Sequence, residues 1–144
     1  MRTALLTLML LLLMPLQASA MSCIHSGSER SQVRRAFANS TVVFSGYVLD
    51  VGGEGGAAVA RVQVLQVWKG ALDVGQVVET SAHEGALIGS GLVPTAGTAM
   101  LIYAGGESPY FLHACSRTMS LDWATGDIPL LNDLSRKPRY RLGG

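Results

Sequence analysis

Two cysteines, three histidines and one Ser-Arg-Thr triplet are the side chains of this 144-residue chain whose chemistry could go beyond packing. Cys23 and Cys115 are its only thiols, so each has one possible partner, and a bridge between them would clamp the early chain to its far end. His25, His83 and His113 could gather with Glu84 around a metal, but no pair has a recognisable ligand spacing, and no metal site of the chain's own is expected. Ser116-Arg117-Thr118 offers hydroxyls and a guanidinium that could form a contact surface. Alternatively, Arg117 anchors a C-terminal helix to the rest of the fold by hydrogen bonds. Nothing identifies a base for Ser116. The chain also lacks a G-x-S-x-G elbow, a phosphate-binding glycine loop and an H-E-x-x-H pair. The expectation is a non-enzymatic protein without a cofactor.

The redox state of the two thiols depends on compartment, and the first twenty residues address it. Arg2 precedes an apolar run from Ala4 to Met14, Pro15 breaks the run, and Ala18-Ser19-Ala20 has the small-x-small pattern of a leader cut after residue 20. A cut after Ser22 also fits. An uncleaved anchor is the alternative, although spanning a bilayer takes about 20 apolar residues. Export to the periplasm or beyond the cell is therefore expected, which favours a Cys23–Cys115 disulfide. In the chain-entropy model such a long cross-link is worth at most about 4 to 5 kcal/mol.

Without Arg2 the chain has ten basic and ten acidic residues. A neutral protein has no global field to draw it to nucleic acid, and no such partner is expected. Four basic residues, Arg136, Lys137, Arg139 and Arg141, gather in a C-terminal stretch read as a flexible tail over 136–144. Between leader and tail, residues 21–135 have the length of one domain.

The elements of that domain follow from periodicity. Ser26 to Asn39 reads as an amphipathic helix, with Ser26 and Glu29 at capping-box spacing, Val33, Ala36 and Phe37 on one face, and Arg30, Arg34 and Arg35 turned away. Thr41–Val51 and Ala58–Trp68 read as strands of a hairpin turned by glycines 52, 53, 55 and 56. In the second strand the polar positions Arg61 and Gln63 are followed by Gln66, a phase change at Val64-Leu65 that requires a bulge if one apolar face stays buried. Further strands are expected at 76–81, 98–104 and 110–115, with a long loop over 82–97. Pro129 divides the last apolar segment into a turn at 121–125 and a short helix at 129–134. Phe44, Tyr47, Trp68 and Tyr103 are read as core or girdle residues. The expected fold is mainly β: a five-stranded antiparallel barrel of OB type with short N- and C-terminal helices.

Val42-Val43-Phe44-Ser45-Gly46, Val64-Leu65-Gln66-Val67-Trp68-Lys69-Gly70, Leu101-Ile102-Tyr103-Ala104 and Cys115-Ser116-Arg117-Thr118 with Leu121 follow one another in an order that resembles bacterial proteins related to tissue inhibitors of metalloproteinases. Their inhibitory domain is similar to the netrin-like module, an OB-type barrel. The resemblance implies a wedge in which the free amine and carbonyl of Cys23 chelate a protease's catalytic zinc and Ile24 enters its specificity pocket. The family's second cysteine is His25 here, and no cysteine occurs in the 82–97 loop. The amine exists only if the leader is cut after Ser22, since cutting after Ala20 leaves it an amide and lipidation of Cys23 would acylate it. Two functions follow as expectations: a binding or structural module of the cell envelope that keeps the barrel, or a metalloendopeptidase inhibitor. Partners would be another envelope protein or a zinc metalloproteinase, with membrane contact only through a lipidated Cys23 or an uncleaved leader.

Overall fold

A computed structural model describes residues 26–53, 57–83, 94–113 and 115–136. The expected leader, the Cys23-Ile24-His25 segment and the basic stretch beyond Arg136 lie outside these residues. The first helix, α1 (Glu29–Asn39), starts two to three residues later than the periodicity suggests because Ser28, not Ser26, caps it: its hydroxyl accepts from the Ser31 amide at 3.3 Å. Lys69 closes the other end, donating from Nζ to the carbonyls of Phe37 at 2.7 Å and Ala38 at 3.1 Å.

The sheet is built on the hairpin of β1 (Val42–Gly52) and β2 (Ala57–Lys69). It continues through β3 (Val77–His83), β4 (Ala99–Ala104), β5 (Tyr110–Phe111) and β6 (Met119–Ser120) in the order β5-β3-β2-β1-β4-β6. The bulge expected in β2 is present: Gly46 pairs with Val64 and Ser45 with Gln66, leaving Leu65 as the extra residue. Gly46 makes the coil possible, because a Cβ there would collide with Cγ1 of Val62 and stand 3.0 Å from the carbonyl of Gln63.

The expected five-stranded antiparallel OB-type barrel is corrected. Six strands form a mixed sheet, β5 lies parallel to β3, and the ladders end at β5 on one edge and β6 on the other. An isolated bridge between Gly105 and Phe111 takes the place of a closing ladder. The reason is local: the strand expected over 110–115 stops at Phe111. Leu112 still donates to Ser81 at 2.8 Å, but the chain then turns, with Ser116 N–H bonded to the His113 carbonyl. The short strand β6 falls in Ser116–Leu121, where no strand was expected.

Each face of this sheet has its own core. Val42, Phe44, Val48, Val62, Val64, Val78, Met100 and Ile102 fill the inner face. On the outer face Val43, Trp68, Leu101 and Tyr103 pack beneath α1 and the last helix, α2 (Asp127–Arg136), which contribute Val33 and Leu131. Pro129 is accommodated in the first turn of α2, where amides need no helical partner, so that helix starts at Asp127. A 3-10 turn at Leu121–Trp123 joins β6 to it. β4 is thus buried on both sides, which is why it reads as an unbroken apolar run.

Candidate functional site

Three places in the described residues combine exposure or charge with a definite geometry. The first is centred on Arg117, in the loop entering β6. Its Nε and Nη2 donate to the two carboxylate oxygens of Asp127 at 3.0 and 2.6 Å, Nη1 donates to Gln32 Oε1 at 2.9 Å, and Nη2 stands 3.9 Å from Glu29 Oε1. Tyr103 donates its hydroxyl to the same Asp127 at 2.7 Å. Asp127 is 1 % exposed and the Arg117 side chain 14 %. Burial foremost, then the hydrogen bond to Asp127, drives the Tyr103 phenol far above its ordinary range. The bonds to Asp127 outweigh burial at Arg117 and hold its guanidinium still more firmly charged. All of these donors face inward and are taken up by acceptors on Asp127 and Gln32. Arg117 is therefore the anchor of the C-terminal helix, and it ties that helix to β4 and α1. The other expected role, a contact surface, would need donors turned outward.

The second place is a cleft of about 290 Å³ between the end of α1, the end of β4 and the 113–116 turn. Ser40, Tyr103 and Ser116 line it, and their hydroxyls already donate to the Ala36 carbonyl, Asp127 and Thr118. Asn39 and His113 add polar edges, the His113 ring standing edge-on to Phe111 at 4.8 Å. Cys115 lies on the rim, exposed and not a free thiol. Its expected partner, Cys23, is outside the described residues, as are Ile24, His25 and Glu84. The backbone of His83 ends β3, far in sequence from His113. Among the described residues no three His, Cys, Asp or Glu side chains gather as metal ligands.

The third place is the part of the outer sheet face that the helices leave bare. Cross-strand register sets Val77, Gln63, Tyr47 and Ala99 in one row, with the buried row Val78, Val62 and Val48 directly behind. Tyr47 is 41 % exposed, Val77 43 % and Leu65, the bulge residue, 45 %. Leu49 joins them where the β1–β2 register slips between Val48 and Asp50. Arg61 and Asp50, paired at 2.9 Å, and exposed Glu79 are polar neighbours on these strands. Tyr47, read as core or girdle, thus lies at the surface, whereas Phe44, Trp68 and Tyr103 are buried. A signal for this site did exist in the sequence: Leu65 occupies the outward parity of Arg61 and Gln63.

No family model matches the chain, and no curated protein matches it either. Together with the unclosed sheet, this overturns the resemblance to metalloproteinase-inhibitor-like proteins and the netrin-like, OB-type assignment. Both functions that rested on it, the barrel-bearing envelope module and the zinc-chelating wedge of Cys23 and Ile24, are withdrawn with it. The described residues supply neither the closed barrel nor a metal-binding cluster for them.

Proposed function

We propose that this protein acts by protein recognition and not by catalysis, and that its working surface is the bare outer face carrying Tyr47, Leu49, Leu65 and Val77. This reading uses neither a closed barrel nor a cysteine wedge. One observation carries it: Tyr47 and Val77, each about two-fifths exposed, stand in one cross-strand row with Leu49 and Leu65 at the register slips beside it, while their neighbours one residue away are sealed in the core. Contiguous exposed apolar surface with a polar rim is the usual mark of a docking site. Tyrosine supplies much contact area for little lost rotamer freedom, so Tyr47 is the natural anchor. The leader-like first twenty residues support a partner outside the cytoplasm.

The test places a photo-crosslinking amino acid at position 65 in the full chain expressed with its own leader, and a second at position 30 on α1 as control. Position 65 is expected to give a discrete protein adduct that Val77→Lys abolishes without changing the unfolding midpoint. With the partner purified, Tyr47→Ala is expected to weaken binding by about 2 kcal/mol or more, the scale of an interface hot spot. Equal labelling from positions 65 and 30, or an adduct indifferent to Val77→Lys, would sink the proposal.

A further inference from the structure

On its β3 side the bare face ends at a sheet edge whose backbone hydrogen bonds are only partly taken. β3 pairs with β2 along its whole length, from Val77 opposite Gln63 to His83 opposite Ala57, but meets β5 only at Thr80 and Ser81. Backbone groups along a strand point to its two neighbours in turn. The Gln76 carbonyl accepts from Val64 of β2 at 2.8 Å, whereas the Ser81 carbonyl accepts from Leu112 at 2.8 Å, so the odd-numbered residues of β3 turn toward the β5 side. The parallel register engages the Glu79 carbonyl and the Ser81 N–H with Tyr110. That leaves the N–H and C=O of Val77 and the N–H of Glu79 without a backbone partner among the described residues. Both residues are exposed, so these groups are open to a second chain.

Side-chain rows run from this edge into the bare face. Val77 begins the row Val77–Gln63–Tyr47, and Glu79 begins the adjoining row Glu79–Arg61–Asp50. The adjoining row holds two carboxylates for one guanidinium, and Arg61 is already paired with Asp50 at 2.9 Å. Glu79 has no ion-pair partner among the described residues. The edge thus offers main-chain donors and an acceptor, an apolar side chain, and an unneutralised acid two residues away.

From this we infer that the partner of the bare face adds an extended strand to the open edge of β3, setting an apolar side chain beside Val77 and a basic one, two residues away, beside Glu79. The inference rests on the sheet-face reading and supplies the chemistry of its partner. In strand addition the main-chain bonds hold the segment, and alternate side chains select it. A strand of either direction satisfies all of the open groups, and its side chains on the outer face extend the two rows. A second copy of this chain fits less well. Two copies related by a twofold axis and paired through both residues must set Val77 against Glu79, so the backbone is satisfied while an apolar side chain faces a charge.

Amide hydrogen exchange, read residue by residue by NMR, tests the edge directly. In the free protein Val77 and Glu79 should exchange rapidly, while Val78 and Thr80, turned toward β2, are protected. The probe is a short capped peptide of threonines with valine at its centre and lysine two positions to either side, a pattern that reads alike in both strand directions. It should slow exchange at Val77 and Glu79 severalfold. Methylating the backbone nitrogens of its valine and of the next residue should abolish that protection, and replacing its lysines by glutamates should weaken binding by about fivefold or more. Glu79→Pro removes an N–H that faces away from β2, so it should abolish peptide binding and leave that ladder intact. Glu79→Gln should keep the protection and lose the preference for lysine. Slow exchange at Val77 and Glu79 in the free protein overturns the inference, since the edge is then already covered. So does an absence of slowing with the peptide, or slowing that the methylated peptide reproduces. A dimer in sedimentation that Glu79→Pro dissociates also overturns it and assigns the edge to a second copy. An adduct from position 65 that survives Glu79→Pro rejects the edge and spares the face, whereas a parent chain that gives no adduct from position 65 rejects the face itself.

Discussion

The two halves of the outer sheet face are made of the same strands and fare differently. Along β1 and β4, the Val43–Tyr103 and Ser45–Leu101 rows lie under α1 and α2, and the next row, Tyr47–Ala99, does not. On the covered half every strong polar group is bonded: Tyr103 and Arg117 to Asp127, Thr118 to the Tyr103 backbone, Trp68 to Asn132. On the bare half the Arg61–Asp50 ion pair is exposed, and apolar side chains meet water. The difference teaches that cover, not strand composition, divides structural surface from surface available for recognition. Substitutions on the two halves should then separate stability from binding.

The largest effect belongs to the lock on the covered half. Arg117→Ala leaves the Asp127 carboxylate buried without its cation, and a loss of about 3–5 kcal/mol is expected in urea unfolding. Replacing both partners, Arg117→Met with Asp127→Leu, should cost much less than the sum of the single changes, because no orphaned charge remains. Additive single and double effects would mean that the pair does not act as the latch.

Tyr103→Phe comes next. It removes a hydrogen bond to a charged acceptor, worth about 1.5–3 kcal/mol, without opening a cavity. It also has a pH signature. The folded protein holds the Tyr103 proton far more tightly than the unfolded chain, whose phenol ionises near pH 10. That contribution is therefore complete below about pH 10 and declines as pH rises beyond it. A thermal midpoint measured from neutral to alkaline pH should fall more steeply for the parent than for Tyr103→Phe.

How much of this was legible in the chain can be judged residue by residue. The helical period of Val33, Ala36 and Phe37 and the phase change at Leu65 both report local geometry, and both α1 and the bulge are where they point. The anchoring role of Arg117 was also open to reading, though its acceptor was not: Asp127 lies ten positions on, across a strand and a turn. Closure of the sheet was not legible, because it depends on whether β5 continues past Phe111, and His113-Ala114-Cys115 is compatible with strand or turn alike. The exposure of Tyr47 was hidden for a related reason. Its neighbours Phe44 and Val48 are buried, and only the reach of two distant helices leaves its row uncovered.

The smallest effect completes the comparison. Arg61 and Asp50 approach to 2.9 Å, scarcely longer than the Arg117–Asp127 contact at 2.6 Å, so distance alone would rank the two pairs together. Solvent ranks them apart. Both side chains of the Arg61–Asp50 pair are about half exposed, so water and salt screen their attraction and ordering two mobile chains offsets much of it. Asp50→Ala should therefore cost no more than about 1 kcal/mol and lose even that at high salt. If the bare half is the recognition face, the same substitution removes a rim charge, which acts chiefly on the rate of encounter with a partner. A fall in association rate with an unchanged unfolding midpoint is the outcome expected, whereas a stability loss comparable to that of Arg117→Ala would erase the distinction between the two halves.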